Sequence, residues 1–323
     1  MRALLIFLAF LATATAQSSI DRYNFLPKKL LHNADVNLLW RTLGLSGKIR
    51  ETTTSGSKDF DETFECGLDD DCEAELFIPD WGLLDSAGND RLVRIKSPRD
   101  VSRFLVFHQD ELGGVWRFVD YLDSTESHYA PAEASVVNSG GKQWLVVNSF
   151  PRCGSDCGLY PSDWFELKNG RLRLVLYVPL SGHEGNKNPG RKFETRFVRA
   201  SQSGARETLE FVFHVKFSSG FGSSIQVSNL WDDEKVIRFS RPTGQGEFKL
   251  DAKNSEASEA FVEDIFSSDD LGPPRLFELV QDHLLVIARG PHDQRRKWLQ
   301  EVLQQNPNLP ELAPARAAFA KAP

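Results

Sequence analysis

The chain has 323 residues, of which 41% are apolar and 26% charged, enough for a packed core and too few charges for global disorder. A formal charge of −7 repels phosphate backbones and argues against nucleic acid as a partner. Past residue 16 no apolar stretch approaches the ~18 residues of a membrane span.

Taken from the start, Met1-Arg2 is a short positive opening, Ala3 to Ala12 is uninterruptedly apolar, and Ala14-Thr15-Ala16 is a small-x-small cleavage signature. Residues 1–16 therefore read as an export signal, with Gln17 as the new N-terminus. The run is too short for a bilayer core, which needs about 20 residues. The expected location is periplasmic or extracellular, and the lack of any Asn-x-Ser/Thr acceptor suits a bacterial source.

Residues 17–46 form an N-terminal helical segment, with the helix expected over 21–44. Pro27 suits a first turn, Leu30, Leu31, Leu38, Leu39 and Leu43 recur near helical spacing, and Gly44 closes it.

Between Asp59 and Asp90 there are twelve acidic residues and no Lys or Arg. Cys66 and Cys72 lie inside this segment; Cys153 and Cys157 form a second close pair. In an oxidising compartment such pairs are expected as local disulfides, 66 with 72 and 153 with 157, that pin loop shape. A four-thiolate zinc site is the competing reading, but its spacings are normally tighter. Asp69, Asp70 and Asp71 sit within the first ring and are the candidate calcium contacts, since Ca²⁺ takes 6–8 oxygens. No motif requires any other cofactor. Asp69 to Leu76, and Asp85-Ser-Ala-Gly-Asn-Asp90 leading into Arg91–Ile95, resemble the calcium loops of FG-GAP propeller repeats. They lack the alternating Asp pattern and central glycine pair of those loops, so the chain is not assigned to that family. Asp, Asn and Gly also suit an ordinary tight turn.

From 47 to 290 the periodicity changes to two. In Glu207–Phe217, Leu209, Phe211, Phe213, Val215 and Phe217 share one face, while Glu210, His214 and Lys216 share the other. Arg171–Val178 behaves likewise. Further strands are expected at 91–96, 103–109, 115–122, 142–150, 163–168, 193–200, 235–240, 275–281 and 284–289. Asn169-Gly170 is a two-residue hairpin signal, and Gly140-Gly141 and Gln281-Asp282 mark other turns. The expected class is mainly β, with antiparallel hairpin or meander sheets forming a sandwich, barrel or irregular propeller. Trp164–Pro179 aligns weakly with Leu276–Pro291, as a repeated hairpin would. A seam is expected near 182–192 or 218–224, both Gly- and Ser-rich. A short helix at 255–266, a C-terminal helix within 291–306 and a flexible tail at 307–323 complete the chain.

No catalytic signature occurs. There is no G-x-S-x-G, no H-E-x-x-H and no phosphate loop. His108 fits a buried, satisfied histidine and His214 an outer-face one. Trp144 and Trp164 open apolar strands and belong to the core. Arg152, Asp156 and Tyr160, flanking the Cys153/Cys157 ring, are the candidate binding residues, because recognition concentrates on rigidly held loops. The expected function is non-catalytic binding of a protein or carbohydrate partner. A polysaccharide hydrolase using paired carboxylates and a calcium-stabilised interaction module are the alternatives.

Overall fold

The structure is a computed structural model. It describes residues 39, 41, 43–45, 47–53, 56–64, 72–83, 89–97, 101–109, 116–126, 132–149, 157–184, 191–217, 223–225, 227, 230–266, 277–278 and 280–321. The export signal, Cys66, Asp69–Asp71, Arg152, Cys153, Asp156 and most of the expected N-terminal helix lie outside these residues. The protein is mainly β with antiparallel sheets, as the alternating pattern requires. The chain divides into two compact units, one comprising Met1–Arg152 with Ser162–Tyr177, the other Cys153–Pro161 with Val178–Pro323.

In the first unit, β1 (Lys48–Thr53) and β2 (Gly56–Thr63) form a hairpin. A meander follows: β3 (Glu73–Trp81), β4 (Asp90–Ser97), β5 (Val101–Gln109) and β6 (Trp116–Thr125). β7 (Glu133–Ser139), β8 (Lys142–Asn148), β9 (Cys157–Lys168) and β10 (Arg171–Glu184) lie in that order in a second sheet. The β3–β6 sheet is buried on both faces. One face packs Leu92, Phe104, Val106 and Leu122 against Leu145, Val147, Phe165, Leu172 and Leu174. Its other face packs Ile95, Leu105, Phe107 and Tyr121 with Leu39, Phe64 and Cys72. Every residue of β5 is consequently buried. Of the architectures expected, this layered packing matches a sandwich; the strand orders are open, so no barrel closes among the described residues.

The expected hairpin at Asn169-Gly170 joins β9 to β10, with φ of 53° and 69° at its two residues. Both are left-handed, as a type I′ turn requires. Gly140-Gly141 does the same between β7 and β8, at φ 61° and 76°.

In the second unit, the C-terminal part of β10 pairs with β11 (Arg191–Ser203), followed by β12 (Arg206–Phe217), β13 (Trp231–Pro242) and the two-residue β14 (Lys249–Leu250). Leu209, Phe211, Phe213 and Val215 are buried as the alternation foretells. Phe211 makes edge-on ring contacts with Phe197 and Phe239, at 5.5 and 5.8 Å between centroids. Beyond β14 the backbone edge of β13 is closed by a 3₁₀ turn, Ala252–Asn254, and the residues after it. Val236 N–H donates to Glu256 Oε2 (2.8 Å) and Arg238 N–H to Ser255 Oγ (2.9 Å), which blunts an edge that would otherwise invite further pairing.

The helices α1 (Glu259–Phe266), α2 (Gln281–Arg289), α3 (Gln294–Gln305) and α4 (Ala313–Lys321) follow. α1 and α3 agree with the sequence reading. α2 overturns it, because strands were expected at 275–281 and 284–289. Phe277, Val280, Leu284 and Ala288 are all buried, and their spacing of three, four and four is that of one helical face. The β-branched pair Val286-Ile287 made the stretch look extended. The likeness of Leu276–Pro291 to the Trp164–Pro179 hairpin is therefore one of sequence alone. The expected flexible tail is also corrected. It forms a 3₁₀ turn at Pro310–Leu312 and then α4, with Leu312 and Ala315 fully buried.

Candidate functional site

A dense polar cluster of the first unit sits where β1 meets the meander. Arg103 and Asp123 face each other across β5 and β6. Arg103 Nε and Nη2 donate to the two Asp123 oxygens at 2.6 and 2.8 Å, and the side chains are 0% and 1% exposed. Asp123 Oδ2 also accepts from Arg50 N–H at 2.6 Å. Burial pushes the Asp123 carboxyl above its ordinary range, against the pull of Arg103 and Arg50. Asp120 is a three-way junction: Oδ1 accepts from Arg50 Nη1 (2.7 Å) and Arg171 Nη1 (3.3 Å), and Oδ2 from Leu172 N–H (2.8 Å). Both buried guanidinium groups lie over the Tyr121 ring, at 4.6 and 4.7 Å. With each oxygen occupied, the cluster ties β1, β5, β6 and β10 together.

His108 Nδ1 lies 2.7 Å from Asp90 Oδ1, directly opposite it on β4, and both are buried. The sequence expectation of a satisfied, buried histidine therefore holds. At the opposite end of β5, Glu126 Oε2 accepts from Ser102 Oγ (2.7 Å) and Ala132 N–H (3.1 Å).

Asp163 is different. It sits on β9 opposite Val147, two residues before Phe165, so the alternation of the strand places it on the face that joins the apolar cluster. No hydrogen-bonding partner for its carboxyl occurs among the described residues. Burial first, and the charge of Glu51 second, push it up to about 7. Tyr177 on β10 keeps 43% of its surface open. Desolvation of the remainder, and then the Asp163 charge, nonetheless push its phenol up to about 12. A carboxyl that titrates near neutrality beside a second carboxylate can hold or deliver a proton, which is why such groups mark functional sites. Sequence reasoning named neither Asp163 nor Glu51. The only available signal was an acid breaking the apolar alternation of β9.

The second unit carries its charges on the open face of β11–β13. Glu210 accepts from Arg238 Nε at 2.8 Å and pairs with Arg199 at 3.2 Å. His214 Nε2 bonds Asp232 Oδ1, and Glu194 and Glu234 are its cross-strand neighbours. This is the outer-face position expected of His214.

Of the sequence-nominated residues, Cys72 is buried and disulfide-bonded, and Tyr160 is a partly buried, partnered residue of β9. Cys157 opens β9. Among the described residues no group of three metal-ligating side chains converges, and no helix is long and apolar enough to cross a membrane. Trp81, Trp116, Trp144 and Trp164 are all buried, so those four offer no stacking platform. No known protein-family model matches the chain, and no curated protein matches its sequence.

Proposed function

We propose that the chain is an exported, non-catalytic β protein that binds a protein or carbohydrate polymer through loops pinned by the 66–72 and 153–157 disulfides. The observation that carries this reading is how the interior ionisable groups are used. His108, Asp90, Asp120, Asp123, Arg50 and Arg103 each bond one another or the backbone of a neighbouring strand. Residues so committed leave recognition to the surface, and Arg152, Asp156 and Tyr160 are its candidate contacts. The test is retention of the mature protein on insoluble polymers such as cellulose, chitin and peptidoglycan, with and without reductant. Retention is expected on at least one, weakened by reductant and by the triple substitution Arg152→Ala/Asp156→Ala/Tyr160→Ala. Retention that survives both would sink the proposal.

Asp163 favours a second reading, a hydrolase in which it serves as general acid beside Glu51. Release of reducing ends from a retained polysaccharide, abolished in Asp163→Asn, would establish that reading in place of the first.

A further inference from the structure

We infer that a depression of about 490 Å³ in the second unit is a binding site for a small amphiphilic monoanion, a carboxylate or sulfate head on a short apolar tail. The depression is lined by Ala205 and Arg206 at the start of β12, by Ser240, Arg241 and Pro242 at the end of β13, and by β14. Its size falls within the range of small-molecule sites, ~300–1,000 Å³.

The charges of its wall define the ligand. Arg241 is buried and neutralised: its Nε donates to Glu207 Oε2 at 2.8 Å, its Nη1 donates to Gly246 O at 2.9 Å, and its guanidinium lies 4.3 Å over the Phe248 ring. It therefore contributes no free charge. Arg206 is 57% exposed and is oriented by Ser240 Oγ at 2.5 Å and Asp251 Oδ2 at 3.2 Å. Lys249 is exposed, and its ammonium has no counter-ion among the described residues. Two accessible cations against one carboxylate leave one positive charge, in a protein whose total is −7. A monoanion neutralises it; a dianion would be in excess. Ala205, Pro242 and Leu250 supply apolar contact for a tail, and the oriented Arg206 needs little reorganisation to meet the head.

Isothermal titration with decanoate, below its micellar concentration, tests this on the mature protein. Saturable 1:1 binding is expected with a Kd on the order of 0.1 mM, and decanol and decyltrimethylammonium should not bind. Lys249→Glu should weaken decanoate about tenfold. Because the Lys249 ammonium has no ionic partner among the described residues, that variant should keep the parent melting temperature, whereas Arg206→Glu also removes the contacts to Ser240 and Asp251. Equal binding of decanol, decanoate binding unchanged in a folded Lys249→Glu protein, or association only with phosphatidylglycerol vesicles would each overturn the assignment. Polymer retention through the Cys153/Cys157 loop is separate, so either proposal can fail alone.

Discussion

Arg103 and Asp123 in the first unit are 0% and 1% exposed, whereas Arg199 and Glu210 in the second are 65% and 13% exposed. Both pairs join arginine to a carboxylate across neighbouring antiparallel strands, yet their physical meaning differs. The first lies in a sheet covered on both faces, where an unpaired ion has no water to turn to, and breaking the pair strands a charge. The second lies on a solvated face, where water replaces a lost partner and the net worth of the pair falls below 1 kcal/mol. The sheet's surroundings, more than the chemistry of the pair, decide which charges hold the protein together.

The largest expected effect is at the Asp120 junction. Asp120→Ala strips Arg50, Arg171 and the Leu172 N–H of one shared acceptor, and should destabilise by ~3–5 kcal/mol in urea unfolding. A loss below 1 kcal/mol would mean that the interior network is as dispensable as a surface pair.

Asp163 should behave in the opposite way. Its pKa in the folded protein is raised from 3.8 to about 7, so the folded state binds the extra proton between those values. Stability should therefore fall as pH rises from 4 to 7 and stay low above. Asp163→Asn removes that penalty and should stabilise by as much as ~4 kcal/mol at pH 8, with little change at pH 4. A variant less stable at both pH values would contradict an isolated, desolvated acid.

A smaller effect is expected at Asp293, which caps α3. Its Oδ1 accepts from Arg296 N–H at 3.0 Å, and that bond, more than the one from Arg295, holds its carboxyl below the usual range. Asp293→Ala should cost about 1 kcal/mol at pH 7. The cap's contribution is present above the unfolded carboxyl value of 3.8 and is lost as pH falls through the lower folded one. The difference between parent and variant should accordingly vanish in strong acid.

The least is expected of Arg199→Ala. Arg238 still pairs with Glu210, so the change should lie within ~0.5 kcal/mol and shrink further in salt. A loss above 2 kcal/mol would erase the distinction between the two units.

What could be read from the sequence follows the same physical division. β12 announced itself because one of its faces is wet: Leu209, Phe211, Phe213 and Val215 are buried while Glu210, His214 and Lys216 lie on the other face. β5, buried on both faces, was expected as a strand over 103–109 with His108 inside it, but Arg103 drew no reading, and only the register sets Asp123 and Asp90 opposite the two side chains. α2 was misread because Leu284-Leu285-Val286-Ile287 has strand composition, although Phe277, Val280, Leu284 and Ala288 already carried helical spacing. The order of α4 was hidden in an Ala- and Pro-rich segment whose stabilising contact, Arg296 at 4.9 Å from the Phe319 ring, joins residues far apart in sequence. Asp163 was illegible for a like reason. Its neighbour Glu51 lies on β1, and no local pattern links the two.

The most direct measurement is a double-substitution cycle on Arg103 and Asp123, using Arg103→Met, Asp123→Leu and the pair, followed by urea unfolding. If the interior ions exist to hold the strands, each single change should destabilise more than the double, with a coupling of at least ~2 kcal/mol. Additive losses within ~0.5 kcal/mol would show that the two side chains do not depend on each other, and the assignment of this cluster to the scaffold would fail.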